Sequence, residues 1–443
     1  MAHSGAAFDF TGGDASMVAV GTALRDAIAV INEQASGGAE VRLDVLDRLH
    51  GALRSALAGD VGLSWPSEAD EAVLLCAEVR QAFLHLFDSY ASVGAEGAEE
   101  RSACAVEFVL WSRLARRAVP DAVWYLLGAN FERAAAIRSV VAGDEAGPAR
   151  LLLRACAFYT AGLDQLHPRD GYDVSRLIDV CLPFLALDRE ASASQYSLDP
   201  ERGFSPTRFA AGASARVWYF ATEAAARYLA GLSGRLERGE RRLLPIQPLA
   251  DLQDGLRHLL AHWSPAPPLR RFRRHVVSGS LSVVRGLAEI GGLLKSGGDS
   301  ATPVEWALRD LSRGGVGAFA QGQDVAATPL RGELVSFRPN DGLQWHVGIV
   351  RRVLQMDKGA EVGIETLSTR PATVEVDDGS QPHQAILFDP VIKGEAVRLA
   401  VPKSALRAGV PVFVTVDKKL QKLKPIDLRA EEGGVELRVY QVL

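Results

Sequence analysis

A change in the spacing of apolar residues, next to a proline-rich segment, constrains the fold of this chain most strongly. Before residue 264 apolar residues recur every three or four positions, as on one face of a helix, with a clear example across 72–90. After residue 268 they alternate with polar residues, which is typical of strands. The segment 264–268 reads Ser-Pro-Ala-Pro-Pro and cannot continue a helix. The sequence therefore predicts a helical part followed by a β part.

The helical part is expected to be an all-helical domain over 1–263. Besides the helix that ends near Tyr90, helices are predicted over 14–35, 41–58, 99–118, 121–141, 147–165, 173–187, 206–233 and 247–262. Breakers such as Gly37-Gly38, Pro120 and the polar stretch 190–205 separate them. We find no fixed repeat period, so a solenoid is not predicted, although an array of helical pairs stays open as an alternative.

The β part is expected to begin after a proline-rich linker over 264–269 and to contain two modules. Short strands bounded by Gly, Pro, Asn and Asp are typical of small barrels or sandwiches. We place one module over 270–370 and a small C-terminal β module over 371–443. Strands of the first are predicted over 315–320, 332–338, 345–354 and 361–367, with a flexible loop over 291–303.

Composition excludes several classes of protein. The 443 residues carry a formal net charge of −5, which argues against a general nucleic-acid binder. No run approaches the ~20 apolar residues of a membrane span, and no signal peptide is visible, so we expect a cytoplasmic protein. The four cysteines are scattered in apolar helical surroundings, which predicts buried reduced thiols rather than a metal site.

An arginine cluster follows the linker, formed by Arg270, Arg271, Arg273 and Arg274. A guanidinium is flat and always charged, and it can fork onto a phosphate or a guanine edge. It can also stack on a base. The cluster therefore predicts a nucleotide-phosphate site, and the alternative is a solvated basic linker.

A second polar motif comes later, where Asp310 and Ser312 precede Gly314 and Gly315. A carboxylate accepts hydrogen bonds from the N1 and N2 donors of guanine, and a glycine lets the backbone approach a ligand. The alternative is an ordinary hairpin turn, in which Asp and Ser form local bonds and Gly takes a positive φ.

Taken together, the two motifs resemble those of the PilZ domain family. That family carries R-x-x-x-R before the first barrel strand and D/N-x-S-x-x-G at a later turn, which match Arg270-x-x-x-Arg274 and Asp310-x-Ser312-x-x-Gly315 in order. The resemblance covers about 265–370.

The resemblance implies a six-stranded β-barrel that binds cyclic di-GMP. In such a site the arginines hold guanine and phosphate, and the Asp and Ser contact a guanine. His275 departs from the fuller motif, which has arginine there, and the loop at 291–303 would absorb the long spacing between the motifs. The expected fold class is multidomain, α then β, with the PilZ-like barrel between the helical domain and the C-terminal module.

Catalytic motifs are weak. His258 and His262 have the i, i+4 spacing of two metal ligands on a helix, but no glutamate follows His258, and a structural role is favoured. Arg351 and Arg352 are adjacent in a predicted strand, so they are expected on opposite faces, and one is expected to pair with Glu365 or a nearby acid.

We therefore predict a receptor, not an enzyme, whose ligand is cyclic di-GMP and whose helical domain binds an unidentified protein partner. No cofactor, metal, nucleic acid or membrane span is expected. Two alternatives stay open: a protein-interaction scaffold with a degenerate PilZ-like barrel that does not bind nucleotide, and an enzyme with its active site in the helical domain. The helical half offers no clustered His, Cys or paired acids for the second.

Overall fold

The computed structural model describes residues 39–58, 65–136, 147–189, 196–208, 217–240, 252–264, 272–297, 302–322, 329–416, 419–432 and 434–443. The chain divides into two compact units, Met1–Leu269 and Arg270–Leu443.

The first unit is mainly helical. Its described α-helices are α1 (Ala39–Ala58), α2 (Ala69–Val93), α3 (Ala98–Leu114), α4 (Asp121–Ala136), α5 (Pro148–Thr160), α6 (Pro168–Cys181), α7 (Glu223–Glu237) and α8 (Leu252–Trp263). The apolar face predicted across 72–90 is confirmed, because each of its apolar residues is buried along α2. Side chains from all eight helices share one apolar core. The predicted helix over 14–35 lies outside the described residues.

The expectation of an all-helical domain is wrong in one region. A four-stranded antiparallel sheet with the order β1-β4-β2-β3 interrupts the helices between α6 and α7. Its strands are β1 (Ala186–Asp188), β2 (Tyr196–Asp199), β3 (Phe204–Arg208) and β4 (Trp218–Ala221). The predicted helix over 206–233 therefore begins only at Glu223. The aromatic run of β4 is the physical reason, since Trp, Tyr and Phe favour strands that are half-buried.

The second unit begins with a closed six-stranded antiparallel barrel. Its strands are β5 (His275–Arg285), β6 (Val304–Ser312), β7 (Gly315–Gln321), β8 (Leu334–Pro339), β9 (His346–Met356) and β10 (Gly359–Ser368). They follow the order β10-β7-β6-β5-β8-β9, and β9 pairs with β10 to close the ring. Alternate residues such as Val316, Ala318, Val362 and Ile364 fill the interior. The expected six-stranded barrel is therefore confirmed.

The segment predicted as a flexible loop over 291–303 is partly helical. Helix α9 runs Leu287–Lys295, and Ile290 and Leu293 are buried. Two glycine pairs obscured this helix in the sequence, since glycine lowers helix propensity. Gly291 is required by close packing, because an added Cβ would collide with the Gln384 side chain.

The C-terminal module is a second closed six-stranded antiparallel barrel. It contains β11 (Ala372–Asp377), β12 (Pro382–Leu387), β13 (Ala396–Pro402), β14 (Val412–Val416), β15 (Lys419–Glu432) and β16 (Val435–Val442), in the order β11-β12-β13-β16-β15-β14. The β architecture predicted for 371–443 is therefore observed, with closure as the additional feature.

An apolar cluster joins the two barrels and α9. It combines Leu334 and Ile349 of the first barrel and Ile290 of α9 with Ile386 and Leu437 of the second barrel. Hydrogen bonds supplement it, because Ser368 Oγ donates to the Phe388 carbonyl at 2.7 Å. The outer faces of the strands thus carry apolar residues where the barrels meet.

Among the helices that the structure describes, none has both the length and the apolar character needed to cross a membrane.

Candidate ligand-binding site

The two sequence motifs meet at one end of the first barrel. Arg273 and Arg274 come directly before β5, whereas Asp310 and Ser312 are among the last three residues of strand β6. Gly315 opens β7, after the two-residue turn of Arg313 and Gly314. Arg270 and Arg271 lie outside the described residues, so their predicted role stays a prediction.

The pairing of β5 with β6 brings Arg274 to Asp310. His275 is opposite Leu311 and Val276 is opposite Asp310, so the residue before β5 reaches the carboxylate. Arg274 Nη1 donates to Asp310 Oδ2 at 3.0 Å. Strand β6 has a register shift with each of its neighbours near Asp310. The shift with β5 lies between Val276 and Gly279. The shift with β7 lies between Leu308 and Asp310. Such bulges redirect side chains, and they are frequent next to functional sites.

Among the residues that the structure describes, hydrogen-bond partners are found for only one oxygen of the Asp310 carboxylate. Oδ2 accepts from Arg274, while Oδ1 is buried and accepts no hydrogen bond from any residue that the structure describes. A buried acceptor without a donor is uncommon in proteins and costs free energy. Asp310 Oδ1 can therefore accept one further hydrogen bond if a donor reaches it.

Glycines at the turn serve close contacts rather than unusual backbone angles. Neither Gly314 nor Gly315 has a positive φ, so the alternative that predicted one is wrong on that point. A Cβ on Gly314 would lie 2.6 Å from Phe272 Cδ2, and a Cβ on Gly315 would collide with the Ile364 carbonyl. Ser312 Oγ donates to the Gly315 carbonyl at 3.1 Å, which fixes the hydroxyl within the turn.

Two further residues belong to the site although the sequence analysis did not select them. Phe272 packs over Gly314, and the Arg313 guanidinium lies 5.7 Å from its ring centroid, a cation–π distance. Gly317 lies opposite Asp310, and a Cβ there would be 2.6 Å from Asp310 Oδ2. The phenylalanine inside the arginine cluster and the repeated glycines of β7 were the available sequence signals.

The adjacent arginines of β9 differ from expectation. Arg351 is the extra residue of a bulge, because Val350 pairs with Ile364 and Arg352 pairs with Gly363. Both side chains are exposed, so the strict alternation predicted for them is wrong here. The predicted ion pair is confirmed, with Arg351 Nε donating to Glu365 Oε2 at 2.7 Å.

The histidine pair of the first unit has a structural environment. His258 Nε2 lies 2.8 Å from the carbonyl oxygen of Ala161, and His262 Nδ1 lies 2.9 Å from the carbonyl oxygen of His258. Burial lowers the pKa of His258 to about 4 and also lowers the pKa of His262. Within the described ranges, no group of three or more His, Cys, Asp or Glu residues could hold a metal ion.

The four cysteines are buried and free, as predicted. Burial raises the pKa of each thiol, to about 12 for Cys181. Such thiols are protonated near neutral pH and are therefore poor nucleophiles.

Comparison of the chain with protein-family models, with curated proteins and with solved structures gives no match.

Proposed function

We propose that the first barrel of the second unit contains a binding site for cyclic di-GMP, and that the protein is a signalling receptor rather than an enzyme. One observation carries the proposal: Arg274 and Asp310, distant in sequence, meet at 3.0 Å beside the Ser312 turn. An arginine suits phosphate, and a carboxylate suits the donor edge of guanine. A ligand with both groups fits this combination.

The Asp310 oxygen that accepts no hydrogen bond from the described residues supports a preference for guanine over adenine. Guanine presents the N1 and N2 hydrogens side by side, and a carboxylate accepts both. Adenine has no N1 hydrogen and no N2 amino group, so it would leave Oδ1 without its donor. We expect the ligand to displace or share the Arg274 contact while its base satisfies Oδ1.

The alternative function is a protein-interaction scaffold whose barrel binds no nucleotide. Two contacts favour it, because Arg274 and Asp310 already neutralise each other and Phe272 covers Gly314. In either case the helical unit is proposed to bind a protein partner, and the protein to act in the cytoplasm.

Calorimetric titration of the full chain with cyclic di-GMP tests the proposal. We expect a Kd of about 1 μM or tighter, equivalent to roughly −8 kcal/mol. Asp310→Ala should weaken binding by about tenfold or more, since a hydrogen bond to a charged group contributes about 1.5–3 kcal/mol.

Cyclic di-AMP serves as the matched control ligand, with the same phosphates and ribose but a different base edge. Equal affinity for the two dinucleotides would contradict the role of Asp310. Absence of heat and of any thermal shift with cyclic di-GMP would favour the scaffold.

A further inference from the structure

The row of residues that crosses the sheet from Asp310 contains two glycines in succession. Asp310 pairs with Gly317, Gly317 pairs with Gly363, and Gly363 pairs with Arg352. Residues directly opposite in an antiparallel sheet share a face. The row therefore runs across four strands, β6, β7, β10 and β9, with a charged side chain at each end.

This row lies on the outside of the barrel. The residues on either side of the glycines, Val316 and Ala318 on β7 and Val362 and Ile364 on β10, belong to the barrel core. Because successive side chains alternate between faces, the glycines face outward.

The surface above Gly363 is open, unlike the surface above Gly317. The Asp310 carboxylate covers Gly317. A Cβ on Gly363 would meet only Arg352 Cβ, at 3.4 Å, among the described atoms within 4 Å. Strands lie about 4.8 Å apart, so two spacings, roughly 10 Å, separate Gly317 from Arg352. We call this open surface, formed by Gly363 and Arg352 and bounded by the Asp310 carboxylate over Gly317, the glycine floor.

Side chains border the glycine floor on both flanks. On one flank the Arg309 guanidinium lies 5.5 Å from the Phe319 ring centroid. On the other flank Arg351 is paired with Glu365. Flat peptide backbone between raised side chains suits a planar ring, because a glycine lets a ligand approach the backbone closely.

We propose that the glycine floor takes the second nucleotide half of the ligand and that Arg352 is the residue that recognises it. The inference rests on the proposed function. Asp310 and Arg274 hold the first guanine and its phosphate, and the second base lies flat over Gly363. The Arg352 guanidinium then donates bidentate hydrogen bonds to paired acceptors of that half, either phosphate oxygens or the guanine O6 and N7 atoms.

Two variants of the full chain test this by titration with cyclic di-GMP. Arg352→Ala should weaken binding by about tenfold or more, as expected for a lost charge-assisted contact. Gly363→Val should weaken it similarly, because the added side chain occupies the floor while a strand tolerates valine well. Lys358→Ala is the matched control, since it removes an exposed cation from the turn between the same two strands and should bind as the wild type does.

Thermal unfolding of each variant separates a lost contact from a lost fold. If Gly363→Val unfolds at a lower temperature than the wild type, the affinity of Arg352→Ala for cyclic di-GMP is the deciding result. If the wild type binds and Asp310→Ala does not, yet Arg352→Ala and Gly363→Val bind with wild-type affinity, the glycine floor is not part of the site and the proposed function stands. If the wild type does not bind cyclic di-GMP, both proposals are overturned.

Discussion

At the scale of single residues, we expect Arg274 to contribute little to the free energy of folding through its contact with Asp310, and much more to the affinity for the ligand. The two side chains are 39% and 23% exposed, and ion pairs near the surface contribute only about 0–1 kcal/mol to folding. The same guanidinium is proposed to hold a ligand phosphate, where its loss costs more.

We therefore expect Arg274→Ala to change the free energy of unfolding by less than about 1 kcal/mol and to weaken cyclic di-GMP binding by about tenfold or more. Urea unfolding and calorimetry measure the two quantities. Arg338→Ala is the control, since this arginine lies over Trp345 of the same barrel. A variant at 274 that unfolds readily but keeps its affinity would show that the contact is structural.

The sequence predicted the residues of this contact but not its surroundings. Motif spacing selected Arg274, Asp310 and Ser312, because their chemistry is visible in the side chains themselves. Gly317 and Gly363 could not be assigned, since their role depends on which strands pair and in which register. A single bulge at Arg351 changes the face that follows, and nothing in the local sequence determines it.

At the scale of secondary-structure elements, helix α8 carries two histidines whose buried surroundings favour the neutral imidazole. His262 Nε2 lies 3.2 Å from Gln165 Nε2, and the other nitrogen contacts a backbone carbonyl, so the neutral tautomer satisfies both. The two imidazole rings are 4.4 Å apart, and protonation would place like charges together. Asp164 partly offsets this effect on both histidines, while Arg208 and Arg113 reinforce it at His262.

These environments predict a loss of stability at mildly acidic pH. The pKa of His258 is about 4 when folded, below its ordinary value of 6.5. The unfolded chain therefore binds the proton more readily between those values, and stability is full above pH 6.5 and decreases as the pH falls toward 4. Thermal unfolding of the full chain across this range should show a falling Tm for the transition of the helical unit.

His258→Gln should flatten that pH profile, because glutamine can still donate to the Ala161 carbonyl but does not titrate. His85→Gln, in the same unit but outside the pair, is the control. A Tm that falls equally in His258→Gln and in the wild type would assign the pH dependence to other groups.

Elements were predictable where a periodic pattern was long. The apolar face of α2 spans several turns, and strand β10 of the first barrel alternates over most of its length. The short strands β1 to β4 were missed because three to five residues carry too little pattern, and β4 is recognisable only by its aromatic run. Helix α9 was missed because the apolar cluster that stabilises it involves both barrels, which the local sequence does not show.

At the scale of the whole molecule, the position of the arginine cluster predicts a coupling between ligand and overall dimensions. The cluster follows the proline-rich segment 264–269, and the boundary between the two compact units falls between Leu269 and Arg270. Bound phosphates would neutralise the like charges there, and a proline-rich linker transmits direction better than a glycine-rich one.

We expect cyclic di-GMP to slow amide hydrogen exchange across 264–276 and to change the radius of gyration of the full chain in small-angle scattering. Arg274→Ala at the same ligand concentration should show neither change. Tight binding by the wild type with unchanged exchange and unchanged dimensions would mean that the linker is a passive tether.

Closure of both barrels limits how any partner protein can recognise them. An extended chain adds to a sheet through the unpaired backbone groups of an edge strand. In the described parts of the barrels every strand has a neighbour on both sides, whereas the four-stranded sheet of the first unit ends at β1 and β3. A partner of the barrels must therefore recognise side chains rather than add a strand, so substitutions on their surface can separate partner binding from folding.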